Sequence, residues 1–275
     1  MGYSRLIIFL LSATLLLSSC ATLSGSGVGR VKHYSVESSR LPESFDGLRV
    51  AFVSDLHYPS KFTRKRLVKL CRMLGEIDAE VLAIGGDFVP SAQYVAPLFS
   101  AFSSLKTAYG KYAVPGNHDY EFYDTLHAEG RRCGIKMLAD SAVCISNGID
   151  SICVAGVYDS FAVGSSSEAM LAGLDKNLFT ILLSHTPDFA QDSSVECDLV
   201  LSGHTHGGQV NLLGLYTPVK NTKYGTRFLR GKNSTDNGTV VITTNGVGTS
   251  RYKVRFCVPS EIVVITLKRS ASAVE

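Results

Sequence analysis

The sequence has 275 residues, 45% hydrophobic content, 19% charged residues and a formal net charge of +3. A chain of this length supports one substantial core or two small ones, and with no low-complexity tract one globular domain is expected. A net charge this small is too weak to argue for a nucleic-acid partner, and none is expected.

The first residues stand apart from the rest. Arg5 precedes an apolar run over residues 6–17, and small residues then lead to Leu17-Ser18-Ser19-Cys20. This is the pattern of a signal peptide over residues 1–19. The run is shorter than the roughly 20 residues that a membrane-spanning helix requires. The Leu-Ser-Ser-Cys ending resembles a bacterial lipobox, which implies cleavage before Cys20 and lipid attachment to its thiol. Acyl chains gain roughly 0.8 kcal/mol per buried CH₂, so more than one holds a protein stably at a bilayer. The expected product is an exported, membrane-anchored lipoprotein on the periplasmic or cell-surface side. Three glycines and two serines in residues 21–30 read as a flexible tether. The expected organisation is therefore lipidated Cys20 and tether over residues 20–40, and a folded domain over residues 41–270.

Short β-branched apolar runs follow at residues 48–53, 80–84, 111–114, 179–183, 198–202, 239–243 and 261–267, and predict strands. Between the first three, Leu67, Leu70, Cys71 and Leu74 mark one helical stripe, and Val95, Leu98, Phe99 and Phe102 mark another. Strand and helix alternate early, whereas hairpin signals dominate later. The expectation is an α/β domain with βαβ units on a largely parallel sheet, the second half adding antiparallel strands. The helix stretch over residues 61–72 carries Lys61, Arg64, Lys65, Arg66, Lys69 and Arg72, which reads either as a solvated face or as a contact for anionic headgroups.

Six cysteines follow Cys20, without a Cys-x-x-Cys pair, so a disulfide framework is not required. Asn147-Gly148 is a two-residue hairpin signal between Cys144 and Cys153. Counted outward from that turn, Cys144 faces Ser151 and Cys153 is its diagonal neighbour, at roughly 7 Å. Buried thiols are expected there.

Five strand ends finish in side chains that can bind metal: Asp55 and His57, Asp87, Asn117-His118-Asp119, His185, and Gly203-His204-Thr205-His206. In an α/β sheet the crevice beyond the carboxyl ends of the strands is where sites form. A lone Asp after a strand is usually a cap and a lone His usually a core or surface group. Five such clusters, each placed where an apolar run stops, point instead to one shared site.

In this order, Asp-x-His, Gly-Asp, Gly-Asn-His-Asp, a single His and Gly-His-x-His resemble the signature of the calcineurin-like metallophosphoesterases over residues 49–267. The resemblance implies a layered αββα sandwich of mixed sheets. It also implies two divalent metals, with Asp55, His57 and His206 on one, Asn117, His185 and His204 on the other, and Asp87 bridging them. Oxygen and nitrogen ligands together suit Mn, Fe, Zn or Co. A metal-bridging hydroxide would attack phosphorus, and His118 would stabilise the transition state and protonate the leaving oxygen. In many relatives an acidic residue three positions after the bridging Asp orients that imidazole. Here the position is Pro90, leaving Asp119 as either a substitute or a helix N-cap.

Sequence flanking the motifs looks like one bacterial branch, which contains extracytoplasmic phosphodiesterases and a UDP-2,3-diacylglucosamine pyrophosphatase. Asp159 lies in a stretch resembling a family loop. Tyr224, Arg227 and Arg251 are candidates for an anionic substrate, because guanidinium groups match phosphate geometry. His204 and His206 are expected to share a face of an extended segment. The expected activity is membrane-tethered hydrolysis of a phosphodiester or pyrophosphate bond in a phosphorylated lipid or envelope substrate, with no nucleic-acid partner. The alternatives are a non-catalytic metal- or ligand-binding surface lipoprotein and a phosphomonoesterase.

Overall fold

A computed structural model describes residues 21–23, 27–158, 160–161, 166–193, 196–212 and 214–271. The expected signal peptide, Cys20 and Asp159 lie outside the described residues. In chain order the elements are β1 (Ala21–Leu23), β2 (Arg30–Ser38), β3 (Arg49–Val53), α1 (Arg64–Ile77), β4 (Val81–Ile84), α2 (Val95–Ser103), β5 (Lys111–Ala113), α3 (Tyr123–Cys133), β6 (Ile135–Met137), β7 (Ser141–Ser146) and β8 (Ser151–Gly156). There follow α4 (Ser166–Ala172), β9 (Thr180–Leu183), α5 (Phe189–Asp192), β10 (Leu199–Ser202), β11 (Gly231–Ser234), β12 (Val240–Thr243), β13 (Val254–Phe256) and β14 (Glu261–Arg269).

Two six-stranded mixed sheets form the centre, in the orders β2-β14-β3-β4-β5-β6 and β11-β12-β10-β9-β8-β7. The side-chain period of two sorts each strand between layers. In β3, Val50 and Phe52 face the other sheet and pack with Ile181, Leu183, Leu199 and Leu201. Ala51 and Val53 face outward and pack with Leu67, Leu70, Leu98 and Phe102 of α1 and α2. Leu182 and Val200 of the second sheet turn to the opposite exterior, against Leu171 of α4 and Phe189 of α5. The result is four layers, α/β/β/α, with the expected stripes of α1 and α2 buried.

Two expectations change. β2 is not tether: all nine of its residues pair in parallel with β14, so the described domain reaches back to Arg30 instead of starting at residue 41. Residues within the expected tether are also engaged, since β1 pairs with β13 and Arg66 Nε donates to Gly27 O at 2.7 Å. The second half does add antiparallel strands, as expected, and its own sheet is mixed. Its centre, β8-β9-β10-β12, is parallel, and the antiparallel partners β7 and β11 lie at its edges. Finally, the turn after β7 has four residues, because Asn147 Oδ1 accepts from the N–H groups of Ile149 and Asp150. That sets Ser146 opposite Ser151 and Cys144 directly opposite Cys153. Both thiols are free, Cys153 buried and Cys144 exposed.

The basic stretch beginning at Lys61 is also not a uniform solvated face. Arg66 is buried and donates to the carbonyls of Gly27, Lys61 and Val247. Thr63 caps α1 by accepting from Arg66 N–H, and Leu67, Leu70 and Leu74 form its buried face. Among the described residues, no helix is long and apolar enough to cross a membrane.

Candidate metal centre

The parallel strands β3, β4 and β5 of one sheet and β9 and β10 of the other end on the same side of the sandwich, and each hands the chain to a loop bearing a candidate ligand. Pairing continues past the strand ends. Asp55 N–H donates to Gly86 O and His57 N–H to Asp87 O, each at 3.0 Å, while Gly203 N–H donates to His185 O at 3.0 Å. These bonds fix the loops against one another, so the ligands are held by backbone as well as by side-chain packing.

Five of the seven expected ligands have left-handed backbones: Asp55, His57, Asp87, His204 and His206, with φ of 58°, 48°, 54°, 64° and 51°. Each such non-glycine residue costs on the order of 1–3 kcal/mol and persists only where its surroundings impose it. The Gly203–His206 segment is therefore not extended. Thr205, with φ −72° and ψ −20°, is a right-handed residue between two left-handed ones, and this kink, not strand alternation, aims both imidazoles. Glycine serves two purposes nearby. Gly207 and Gly208 take positive φ. At Gly203 and Gly116 a Cβ would lie 2.5 Å from Asp55 Oδ2 and 2.3 Å from Asp87 Oδ1, so only glycine lets these carboxylates seat.

Two clusters result. Asp55, His57 and His206 place donor atoms within 4.8 Å of one another, as do Asp55, Asp87 and His185. Asp87 stands between them, with Oδ2 3.5 Å from His57 Nε2 and Oδ1 3.5 Å from His185 Nε2. Asp55 Oδ1 lies 3.5 Å from His206 Nε2. The His204 ring stands 5.1 Å from that of His185, edge on, and its backbone N–H donates to the Asp55 carboxylate. Asn117 is exposed beside these groups.

The charge states suit cations. Burial lowers His57 to about 4 and His204 to about 3, and it combines with the neighbouring His57 and Arg255 charges to hold His206 well below the ordinary histidine value. All three are neutral donors at pH 7, as metal ligands must be. Burial opposes protonation of His185 too, but the Asp87 carboxylate outweighs it and raises that imidazole to about 9. Burial resists ionisation of Asp87, yet His185, His57 and His118 hold it well below the usual carboxylate range. Burial and the Asp87 charge raise Asp55 to about 6. His185 Nδ1 is tied to Gly85 O at 2.6 Å, whereas its buried Nε2 has no hydrogen-bond partner and faces Asp87. An orphaned, buried nitrogen among carboxylates is what a cation would satisfy, so the donor set fits two divalent ions.

Asp119 takes the N-cap position of the short turn over Tyr120–Phe122, but its side chain neither caps that turn nor hydrogen-bonds His118. Its carboxylate accepts from the backbone N–H groups of Asp87 (2.7 Å), Phe88 (3.1 Å) and Gly116 (2.8 Å), clamping the second loop to the third. The His118 ring lies 5.4 Å from that of His57. Its backbone N–H donates to Asp87 Oδ1, and among the described residues no side chain hydrogen-bonds its imidazole. Pro90 lines a cavity together with His57, His118, His204 and His206.

One organising residue carries no sequence signal. Arg255 is 1% exposed and makes six hydrogen bonds, all to carbonyls, on His206, Asn245, Gly246, Gly248 and Val258. It ties the His206 turn to the loop after β12, which in turn donates from Val247 and Gly248 N–H to Ser54 and Asp55 O. It is the middle residue of β13, Val254-Arg255-Phe256, and no motif or spacing marks it in the sequence.

The family model for the calcineurin-like phosphoesterases matches residues 48–208. The chain is a calcineurin-like phosphoesterase. Relatives of this phosphoesterase include an uncharacterized metallophosphoesterase of Aquifex aeolicus, 30% identical over 87% of this chain and 92% of its own length. The Bacillus subtilis metallophosphoesterase YkuE is 28% identical over 92% and 93%. A Danio rerio transmembrane protein with a metallophosphoesterase domain is 30% identical over 98% of this chain and 64% of its own. The crystal structure of the Thermus thermophilus protein TT1561 shares the fold, with a TM-score of 0.52 at 16% identity over 73% of this chain and 90% of that one. Members of the family use two divalent metals, and this chain is a metal-dependent phosphoric ester hydrolase.

Of the three expected substrate contacts, the structure brings only Arg251 to the site, on the wall of the cavity that His57, His118, His204 and His206 also line. Tyr224 donates its hydroxyl to Asp192. Arg227 pairs with Asp236 at 2.7 Å and donates to Ser234 O. Neither lines the cavity in front of the histidines, and each is engaged by a partner outside the centre.

Proposed function

We propose that this phosphoesterase hydrolyses a phosphodiester or pyrophosphate bond in a phosphorylated lipid or envelope substrate, tethered to a membrane through lipidated Cys20. The observation that carries the reading is the cavity, about 860 Å³ in volume, in front of the histidines. Its lining mixes Lys61, Arg251 and the imidazoles with the apolar residues Val89, Pro90, Val210, Pro218, Val219 and Tyr252. A small phosphomonoester needs no such apolar lining. A substrate with groups on both sides of its phosphorus, one of them greasy, fills it. The bacterial branch that the flanking sequence resembles, with its extracytoplasmic phosphodiesterases and a UDP-2,3-diacylglucosamine pyrophosphatase, supports the same substrate class.

When bound, two divalent ions supply an activated water nucleophile and neutralise phosphoryl charge. Asp55, His57 and His206 would hold one and His185, His204 and Asn117 the other, Asp87 offering an oxygen to each. The residues of the chain do the remainder. Arg251 and Lys61 would attract the anionic substrate, Val89 and Pro90 would help to exclude water, and His118, which lines the cavity, would give a proton to the departing oxygen.

The test is hydrolysis of bis-p-nitrophenyl phosphate and p-nitrophenyl phosphate by the Mn²⁺-loaded protein. Turnover of the diester that chelator abolishes, and that falls by about 10²–10⁴-fold in His118→Ala and is lost in Asp87→Asn, is expected. Preference for the monoester would replace the reading with a phosphomonoesterase.

A further inference from the structure

Beyond the histidine motif, the chain leaves large apolar side chains in water on a single ledge. Asn211 N–H donates to Phe256 O at 2.9 Å and Phe256 N–H to Gln209 O at 3.0 Å, which joins the segment after Gly208 to β13. On these two segments Leu215 is 90% exposed, Tyr252 75%, Tyr216 59%, Val219 56%, Leu212 48% and Val254 43%. They are six of the nine exposed large hydrophobics among the described residues, so the apolar surface is gathered here rather than scattered. A soluble surface that gathers such residues is marked for contact.

Three further observations say what covers it. The ledge is the rim of the cavity, since Val219 and Tyr252 line it together with the site histidines. It carries no negative charge: residues 207–223 and 246–260 contain no Asp or Glu, while Lys220 and Arg251 sit on these segments and Lys61 donates to Arg251 O. The chain end proposed to carry the lipid at Cys20 also arrives here, for β1, which begins at Ala21, pairs with β13 and sets Leu23 opposite Val254. Two like-charged ledges would repel in a symmetric dimer, where each patch meets its own copy. An anionic bilayer has the complementary charge.

We propose that this ledge is a bilayer-docking surface. Leu212, Leu215, Tyr216, Val219, Tyr252 and Val254 seat in the headgroup region, the cations meet anionic headgroups, and the cavity opens onto the lipid surface. Residues of this mixed apolar, aromatic and cationic kind favour the depth of roughly 5–10 Å at which interfacial segments lie. The inference rests on the lipid-substrate reading above and adds the orientation in which substrate is reached: from the membrane, without leaving it.

The chain contains no tryptophan, so an introduced one reports on its own position. Full-length Leu215→Trp and, as control, Ile149→Trp in the exposed β7–β8 turn are placed on phosphatidylcholine vesicles containing phosphatidylglycerol. For Leu215→Trp the emission is expected to shift to the blue and to be quenched by brominated acyl chains, whereas Ile149→Trp emits as in water. Equal emission and quenching from the two positions would overturn the proposal. So would a blue shift of Leu215→Trp without vesicles that grows with protein concentration and ignores brominated lipid, which would mark the ledge as an interface between copies. Diester turnover by the same variants separates the two ideas: docking without turnover sinks the hydrolytic reading alone, and turnover without docking sinks this one.

Discussion

Arg255 sets the energetics at the residue scale. Burial lowers its pKa to about 10 while the Asp55 and Glu261 charges oppose that fall, so the guanidinium is charged at neutral pH, and its hydrogen bonds all go to carbonyls. Its planar fork reaches five carbonyls at once, which an ammonium cannot do. Arg255→Lys is therefore expected to lower stability by about 3–5 kcal/mol, a fall of roughly 10 °C or more in Tm by calorimetry, and to weaken metal binding about 10–100-fold. Wild-type behaviour in the lysine variant would mean that charge, not geometry, holds the loops. Asp119→Asn keeps the shape but removes acceptor capacity from a group serving three N–H donors. A loss of about 2–3 kcal/mol and a lower metal content by elemental analysis are expected.

His185 links proton and metal at the same scale. Its metal-free imidazole titrates at about 9, and a ligand must be neutral, so metal entering at pH 7 displaces a proton. Affinity is expected to fall by up to about tenfold for each pH unit below 9, with proton release visible in titration calorimetry across buffers of different ionisation enthalpy. The same shift stabilises the metal-free fold. That contribution is complete below the unfolded histidine value near 6.5 and disappears as pH rises through about 9. The thiols sort by exposure: burial pushes Cys153 up to about 11 and Cys197 to about 12, while Cys144 is exposed. Mass spectrometry after brief alkylation of the native protein should find Cys144 modified and the other two untouched.

At the scale of elements, β2 completes a sheet whose edge would otherwise be β14. Val36 on it is 1% exposed and packs between the sheets with Leu267. Val36→Ala is expected to cost about 2 kcal/mol, against less than about 0.5 kcal/mol for Glu37→Ala on the solvent side, both read from urea unfolding. Equal costs would return residues 30–38 to the status of a tether. Sequence hid this strand because its alternation, Val31-Lys32-His33-Tyr34-Ser35-Val36, mixes polar and apolar residues at an edge where only one face is buried. It hid the hairpin register for a local reason: the Asn147 side chain and its backbone N–H close a four-residue turn on Ile149 and Asp150 rather than a two-residue Asn-Gly turn, and one changed loop length shifts every cross-strand neighbour.

Over the whole molecule, the centre is a joint between two sheets. One sheet supplies Asp55, His57, Asp87 and Asn117, the other His185, His204 and His206, and ions bound between them would bind the folded state alone. Mn²⁺ at about one hundred times its dissociation constant is expected to add about 2.7 kcal/mol per site, seen as a Tm that rises with metal and returns with chelator. A Tm indifferent to metal would mean that the two halves do not meet around it.

The sequence by itself determined the chemistry, because strand ends, glycine punctuation and ligand types are local and each motif carries its own signal. It also determined the strands and stripes of the core, where hydrophobic periods of 2 and 3.6 are written into neighbouring residues. Only the tertiary structure decided that left-handed kinks rather than extended backbone aim the histidines, that Asp119 clamps loops, that Tyr224 and Arg227 are spent on other partners, and that Arg255 solvates its charge with carbonyls from separate loops. Those facts depend on contacts between residues distant in the chain, and no local pattern encodes which distant carbonyl or carboxylate will be nearest once the two sheets have closed.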